Sequence, residues 1–172
     1  MKKISLLAVA LAVSAAAGAA DVKPFLQGSF GYSSETTKAD GAKVTETDIA
    51  PAFGLGFNAG GIVVALSNIE DSARTVWFGY NVVKSGDFTL TPYLTFANGK
   101  TKPETGDATD KYTTWGLALE GEYALAAAYS VFGNIGITNG KTENTEIDGN
   151  GTSYNEVKTN GLAISFGVRG YF

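Results

Sequence analysis

The chain has 172 residues, with 13 basic residues against 17 acidic ones, no histidine and no cysteine. An acidic balance repels phosphate backbones and argues against nucleic acid as a partner, and without cysteine there is no disulfide framework. The 22 glycines, 10 phenylalanines and 8 tyrosines, set against only 4 prolines, fit many short strands better than a helical bundle.

The first stretch, MKKISLLAVALAVSAAAGAA, places two lysines before an apolar run and ends in small residues. This is the layout of a secretory leader, expected over residues 1–20 with cleavage after Ala19 or Ala20. The apolar run is too short to span a bilayer as a helix, which needs about 20 residues. No cysteine follows it, so lipid attachment is excluded. Residues 21–172 are then one domain.

From there the dominant signal is alternation with a period of two. In PFLQGSFGYS, Leu26, Gly28, Phe30 and Tyr32 form one set, and Gln27, Ser29, Gly31 and Ser33 the other. DIAPAFGLGFN repeats it with Ile49, Phe53, Leu55 and Phe57. GIVVALSNI, TVWFGYNVV and YSVFGNIGI follow it less cleanly, whereas FTLTPYLTFA, TWGLALEGEY and GLAISFGVRGYF follow it throughout. The count is eight strands of about 9–12 residues, the length that crosses a bilayer at a tilt.

Three connections are short, near Gly60, Gly86 and Ala126. Three are long and polar, SETTKADGAKVTE, NGKTKPETGDATDK and TNGKTENTEIDGNGTSYNEVK, and one near Glu70 to Arg74 is a shorter member of the same set. Short turns at one end and long loops at the other predict an all-β, eight-stranded antiparallel transmembrane barrel in an up-and-down meander, with both termini at the short-turn end. NGKT occurs at residues 98–101 and again at 139–142. Its Asn-Gly pairs are expected to supply positive-φ exits from the strands. A phosphate-cradling loop is excluded, because Leu94 and Ile135 stand where the earlier glycine belongs.

The second set of each strand is Gly, Ala, Ser, Thr, Asn and Gln with few charges. Such a face makes a poor solvent surface but a good barrel interior, so the apolar set is expected to meet lipid. Interface aromatics sort by strand end. Phe57, Phe88, Tyr123, Tyr129 and Phe172, with Phe25 or a neighbour, are expected at the periplasmic edge, and Tyr32, Phe96 and Trp115 at the outer edge. Arg169 lies three residues in from Phe172, and Glu120 three in from Tyr123. They are expected at a common depth in the lumen with Glu122 slightly lower, Arg169 being paired with carboxylate and hydrogen-bonded by Gln27 and Asn134. Tyr93, Trp77 and Phe132 are expected to complete a structural plug.

The GLALEGEYAL strand and the terminal GVRGYF carry a resemblance. On these residues the chain resembles the small outer-membrane β-barrel family that includes the OmpA membrane domain, OmpX, Ail-like proteins and the opacity-like barrels. The resemblance implies residence in the outer membrane of a Gram-negative bacterium, among lipid and lipopolysaccharide. It also implies that the barrel-assembly machinery reads the C-terminal residues Phe166, Val168, Tyr171 and Phe172. Family members serve as adhesins, complement-evasion or envelope-stabilising proteins, so the loops are expected to contact an extracellular ligand or host surface.

The expectation is a non-enzymatic monomer without cofactor or metal. The usual histidine base for a serine nucleophile is missing, and no loop has calcium-loop spacing. Glu120 and Glu122 beside an arginine suit structure better than acid–base work. Two alternatives are a small-solute channel and a secreted lipocalin-like barrel with its apolar face inside.

Overall fold

Alternating β-branched and aromatic residues make strand after strand. The computed structural model describes residues 22–39, 42–68, 73–101, 109–148 and 151–172; the expected leader lies outside them. The strands are β1 (Val22–Ala39), β2 (Ala42–Ala59), β3 (Ile62–Asn68), β4 (Ala73–Tyr80), β5 (Val83–Ser85), β6 (Phe88–Thr101), β7 (Thr109–Ala126), β8 (Tyr129–Asp148) and β9 (Gly151–Tyr171).

Apart from β4 and β5, each strand pairs antiparallel with its sequence neighbours. β1 pairs with β9 from Phe25 opposite Tyr171 to Lys38 opposite Lys158, which closes the sheet into a barrel. β4 and β5 are two halves of one crossing, both laid against β6, so the nine segments make eight crossings. Between them Gly79 faces Tyr93 and Val83 faces Leu90, so four steps along one strand match three along the other. That is a bulge. It is held by Asn81 N–H donating to the Gly61 carbonyl at 2.8 Å and by Thr91 Oγ1 donating to Asn81 Oδ1 at 2.8 Å.

The apolar set faces out. Phe53 is 72 % exposed and Phe166 69 %, while Phe25 and Tyr93 inside are 1 % and 3 % exposed. This is inside-out for water and suited to lipid, and it removes the lipocalin-like alternative. The β1–β9 pairing leaves the sheet without an open end, which hydrocarbon requires.

The short connections fall at Gly60–Gly61, Gly86–Asp87 and Ala127–Ala128. Gly60 and Gly61 have φ of 58° and 94°, and Gly86 has 59°. Both central residues of the first turn therefore occupy the left-handed region that tight hairpins demand.

Two expectations are corrected. Two of the three segments expected as long loops are largely strand, while residues 102–108 of the third lie outside the described residues: β1 and β2 run on to Ala39 and from Ala42, and β8 and β9 to Asp148 and from Gly151. Threonine-rich alternation continues through them, and pairs such as Thr36 Oγ1 with Thr45 Oγ1 at 3.1 Å tie the strands together beyond the apolar band. The Asn-Gly pairs of NGKT are also inside strands, β6 and β8, and neither glycine is among those with positive φ. Gly99 is needed for a different reason: the Tyr112 ring of β7 lies across it, where a side chain would collide.

Candidate functional site: the polar cluster in the lumen

The lumen side of the alternation carries Gln27 on β1, Glu120 and Glu122 on β7, Ser130, Phe132 and Asn134 on β8, and Arg169 and Tyr171 on β9. Register sets Arg169 directly beside Gln27 on one side and Ser130 on the other, while Glu120 lies beside Asn134. The long guanidinium must therefore reach past β8 to meet the carboxylates of β7.

It does so with a full set of acceptors. Arg169 Nη2 donates to Glu120 Oε1 at 3.0 Å and Oε2 at 3.2 Å, and Nη1 donates to Glu122 Oε2 at 2.6 Å. Nε and Nη2 both donate to Gln27 Oε1, at 3.1 and 2.8 Å. The carboxylates are completed from elsewhere. Tyr93 Oη donates to Glu120 Oε1 at 3.2 Å, and Tyr171 Oη to Glu122 Oε1 at 2.6 Å, joined there by the Ser130 hydroxyl. Arg169 and Glu120 are 3 % and 2 % exposed. A charge buried so deeply is tolerated only when paired and hydrogen-bonded in this way.

Rings close the cluster. The guanidinium carbon lies 4.4 Å from the Phe25 ring centre and 4.8 Å from that of Phe132, a cation between two aromatic faces. Phe25 meets Tyr171 edge-on at 5.7 Å and Trp77 meets Tyr93 at 5.6 Å, with Trp77 Nε1 donating to Ser67 Oγ at 2.8 Å. The space left among Gln27, Trp77, Tyr93, Glu120, Asn134 and Arg169 is a cavity of about 10 Å³, barely what one water needs.

Of the residues singled out in the sequence, Arg169, Glu120, Glu122 and Gln27 meet in one hydrogen-bonded group, and Asn134 lines the cavity beside it. Tyr171, placed in the C-terminal signal, turns inward onto Glu122, whereas Phe166, Val168 and Phe172 are exposed. Tyr32, Phe88, Phe96, Trp115, Tyr123 and Tyr129 are exposed on the outer face, but Phe57 is only 6 % exposed and stands apart from them. Phe25 also belongs inside: it alternates with the exposed Leu26 and forms one wall of the arginine site. Phe25 and Ser130 were not foreseen as partners of Arg169, although each shares the alternation set of a residue that was.

The rings fit because glycine lies under each. A side chain at Gly56 would meet Phe25, one at Gly79 would meet Tyr93, and one at Gly167 would meet Phe132 and the Gly28 carbonyl. Gly167→Val should therefore destabilise the barrel by about 1–3 kcal/mol through overpacking. Gly170→Ala, whose new methyl would stand 3.8 Å from Tyr129 on the outer face, should change little. Denaturant midpoints in detergent micelles compare the two, and equal midpoints would refute the packing argument.

Chemically the cluster is saturated. The carboxylates already accept from the guanidinium and three hydroxyls, and among the described residues no group of His, Cys, Asp and Glu converges as a metal would need. Above the apolar band, burial and then the facing Glu46 push the Glu35 carboxyl above its usual range. A hydrogen bond from Lys141, reinforced by its charge, holds Glu143 below it.

No family model matches the chain, and no curated protein matches it in sequence. Solved structures do match. Neisserial surface protein A is similar over 86 % of this chain and 97 % of its own, with a TM-score of 0.55 at 12 % identity. The outer membrane protein AlkL, determined in lipid bilayers, is similar over 87 % of this chain and 90 % of its own, also with a TM-score of 0.55 at 12 % identity. At such identity the likeness is one of fold, and it agrees with the outward apolar band: the chain is an eight-stranded antiparallel barrel of the kind that small outer-membrane proteins have.

Proposed function

We propose that the chain is a non-enzymatic barrel of a Gram-negative outer membrane, closed to solutes, which holds tall polar hairpins outside the cell for surface contact or envelope integrity. The observation that carries this reading is the lumen cluster. Arg169, sandwiched by Phe25 and Phe132 and bonded to Glu120, Glu122 and Gln27, spans the interior of a barrel that has little width to spare. Rigid scaffolds commonly carry function in their connections. Here the β1–β2 and β8–β9 pairs prolong the wall beyond the apolar band, so a contact surface would be sheet rather than loop.

Single-channel recording in planar bilayers tests the closed lumen. The expected result is no sustained conductance step from the wild-type protein. Reproducible, long-lived steps would favour the competing reading of a small-solute channel, for which the small residues above the cluster (Gly31, Ala50, Ala52 and Gly54) would form the vestibule.

A further inference from the structure

One row of residues on the inner wall links the top of the lumen cluster to the mouth of the barrel. Thr95 of β6 stands opposite Trp77 of β4 and, on its other side, opposite Gly116 of β7. From there the row runs through Thr138 of β8 and Gly161 of β9 to Glu35 of β1, and it ends on Glu46 of β2. Glycine makes room for each hydroxyl. A side chain at Gly116 would meet Thr95 Oγ1, and one at Gly161 would meet Thr138 Oγ1 and the Glu35 stem. In a neighbouring row the hydroxyls of Thr114 and Thr159 lean over Gly140 in the same way. Above Tyr93 and Trp77 the wall is therefore hydroxyl and bare backbone. An eight-stranded barrel with small inward side chains has room for one small ligand.

Two properties of this cup point to a cation. Thr75 and Thr95 turn inward at its base and are 6 % and 8 % exposed, yet neither hydroxyl has a hydrogen-bond partner among the described residues. A hydroxyl buried in that state is costly. The charges are also unbalanced. The cluster below holds two carboxylates to one guanidinium, and the alternation puts Glu35, Glu46 and Asp48 on the inner wall above it. No described lysine or arginine side chain above Arg169 falls on that wall. Glu35 directly faces Glu46, and like charges so placed repel. Asp48 gives one oxygen to the Ile49 N–H at 2.8 Å and keeps the other. Among the described residues no group of carboxylates converges as a metal would need, so the charge suits an elongated cation. Four steps of about 4.8 Å across strands tilted by about 45° raise Glu35 about 13 Å above Thr95.

We propose that this cup binds a linear polyamine, one ammonium end held by the buried hydroxyls of Thr75 and Thr95 and the other by Glu35, Glu46 and Asp48. The Arg169 cluster makes the cup a dead end, so the proposal rests on the closed lumen, and the test separates the two. Equilibrium dialysis of labelled spermidine against the full barrel in zwitterionic micelles is run at about 0.15 M salt, where exposed charges are largely screened. Saturable binding of one molecule per chain is expected. 1,3-Diaminopropane, too short to reach both ends, and magnesium should each compete at least about tenfold less well than unlabelled spermidine. E35Q/E46Q/D48N should weaken binding about tenfold or more. T75V/T95V should weaken it severalfold without lowering the denaturant midpoint, because a hydroxyl without a partner leaves none behind when it is removed.

Absence of saturable binding to the wild type would overturn the proposal, as would equal competition by diaminopropane or magnesium. These arms use the wild type alone and decide the matter even where a variant fails to fold. Undiminished affinity in either folded variant would overturn it too. Spermidine escaping from loaded vesicles through the wild-type barrel, faster than from protein-free vesicles, would instead overturn the closed lumen and leave the binding result standing.

Discussion

Arg169→Glu should leave little folded barrel, and Glu120→Arg in the same chain should restore part of it. The substitution removes every donor that now serves Gln27, Glu120 and Glu122 and puts a third carboxylate among them. Removing one partner of a buried ion pair already costs about 3–5 kcal/mol, against a total stability of about 5–15 kcal/mol for a typical domain. Reversal is worse than removal, because the new charge is repelled as well as unpaired. The double variant regains one attractive pair across the lumen. Rescue stays partial because the carboxylate introduced on β9 would still face Glu122, and Gln27 would lose the guanidinium that now donates to it twice. Heat-modifiable gel migration and denaturant midpoints in micelles measure both steps. A wild-type midpoint for the single variant would show that the cluster contributes little, and no recovery in the double would show that Glu120 is not the partner that matters.

The pairing behind this prediction was legible in the sequence because a period of two is simple arithmetic. Once Phe172 and Tyr123 mark one edge, equal offsets bring Arg169 and Glu120 to one depth, and alternation turns both inward. The same rule places Phe25 inside, since Leu26 and Phe30 are outward. The sequence nevertheless suggests an edge aromatic there, because a ring near a strand end suits a membrane interface equally well. What alternation does not contain is which rings need room. The glycines under Phe25, Tyr93 and Phe132 read as small lumen residues, and only the three-dimensional register sets each beneath its ring. The long polar segments resemble loops in the sequence because their composition is that of loops. A ladder that satisfies its own hydrogen bonds tolerates water as well as lipid, so β8 and β9 continue as strands well past the exposed Ile137 and Leu162.

Deleting Phe172 should nearly abolish assembly in the cell while leaving refolding in micelles close to normal, a separation that stability alone does not produce. The side chain is 74 % exposed, and its backbone N–H makes one hydrogen bond, to the Pro24 carbonyl at 3.1 Å. Losing that bond costs about 1 kcal/mol, and losing a ring that already faces outward costs little burial. Tyr171 remains to hold Glu122, so the cluster stays intact. A cellular defect much larger than the defect in micelles would mean that the terminal aromatic is read during biogenesis, as its resemblance to an assembly signal implies. Equal abundance of truncated and full-length barrel in outer-membrane fractions would remove that role. Equal loss in both settings would make Phe172 a folding residue instead, and Phe172→Leu then discriminates. An apolar but non-aromatic end should restore folding in micelles, whereas recognition of an aromatic terminus would remain impaired.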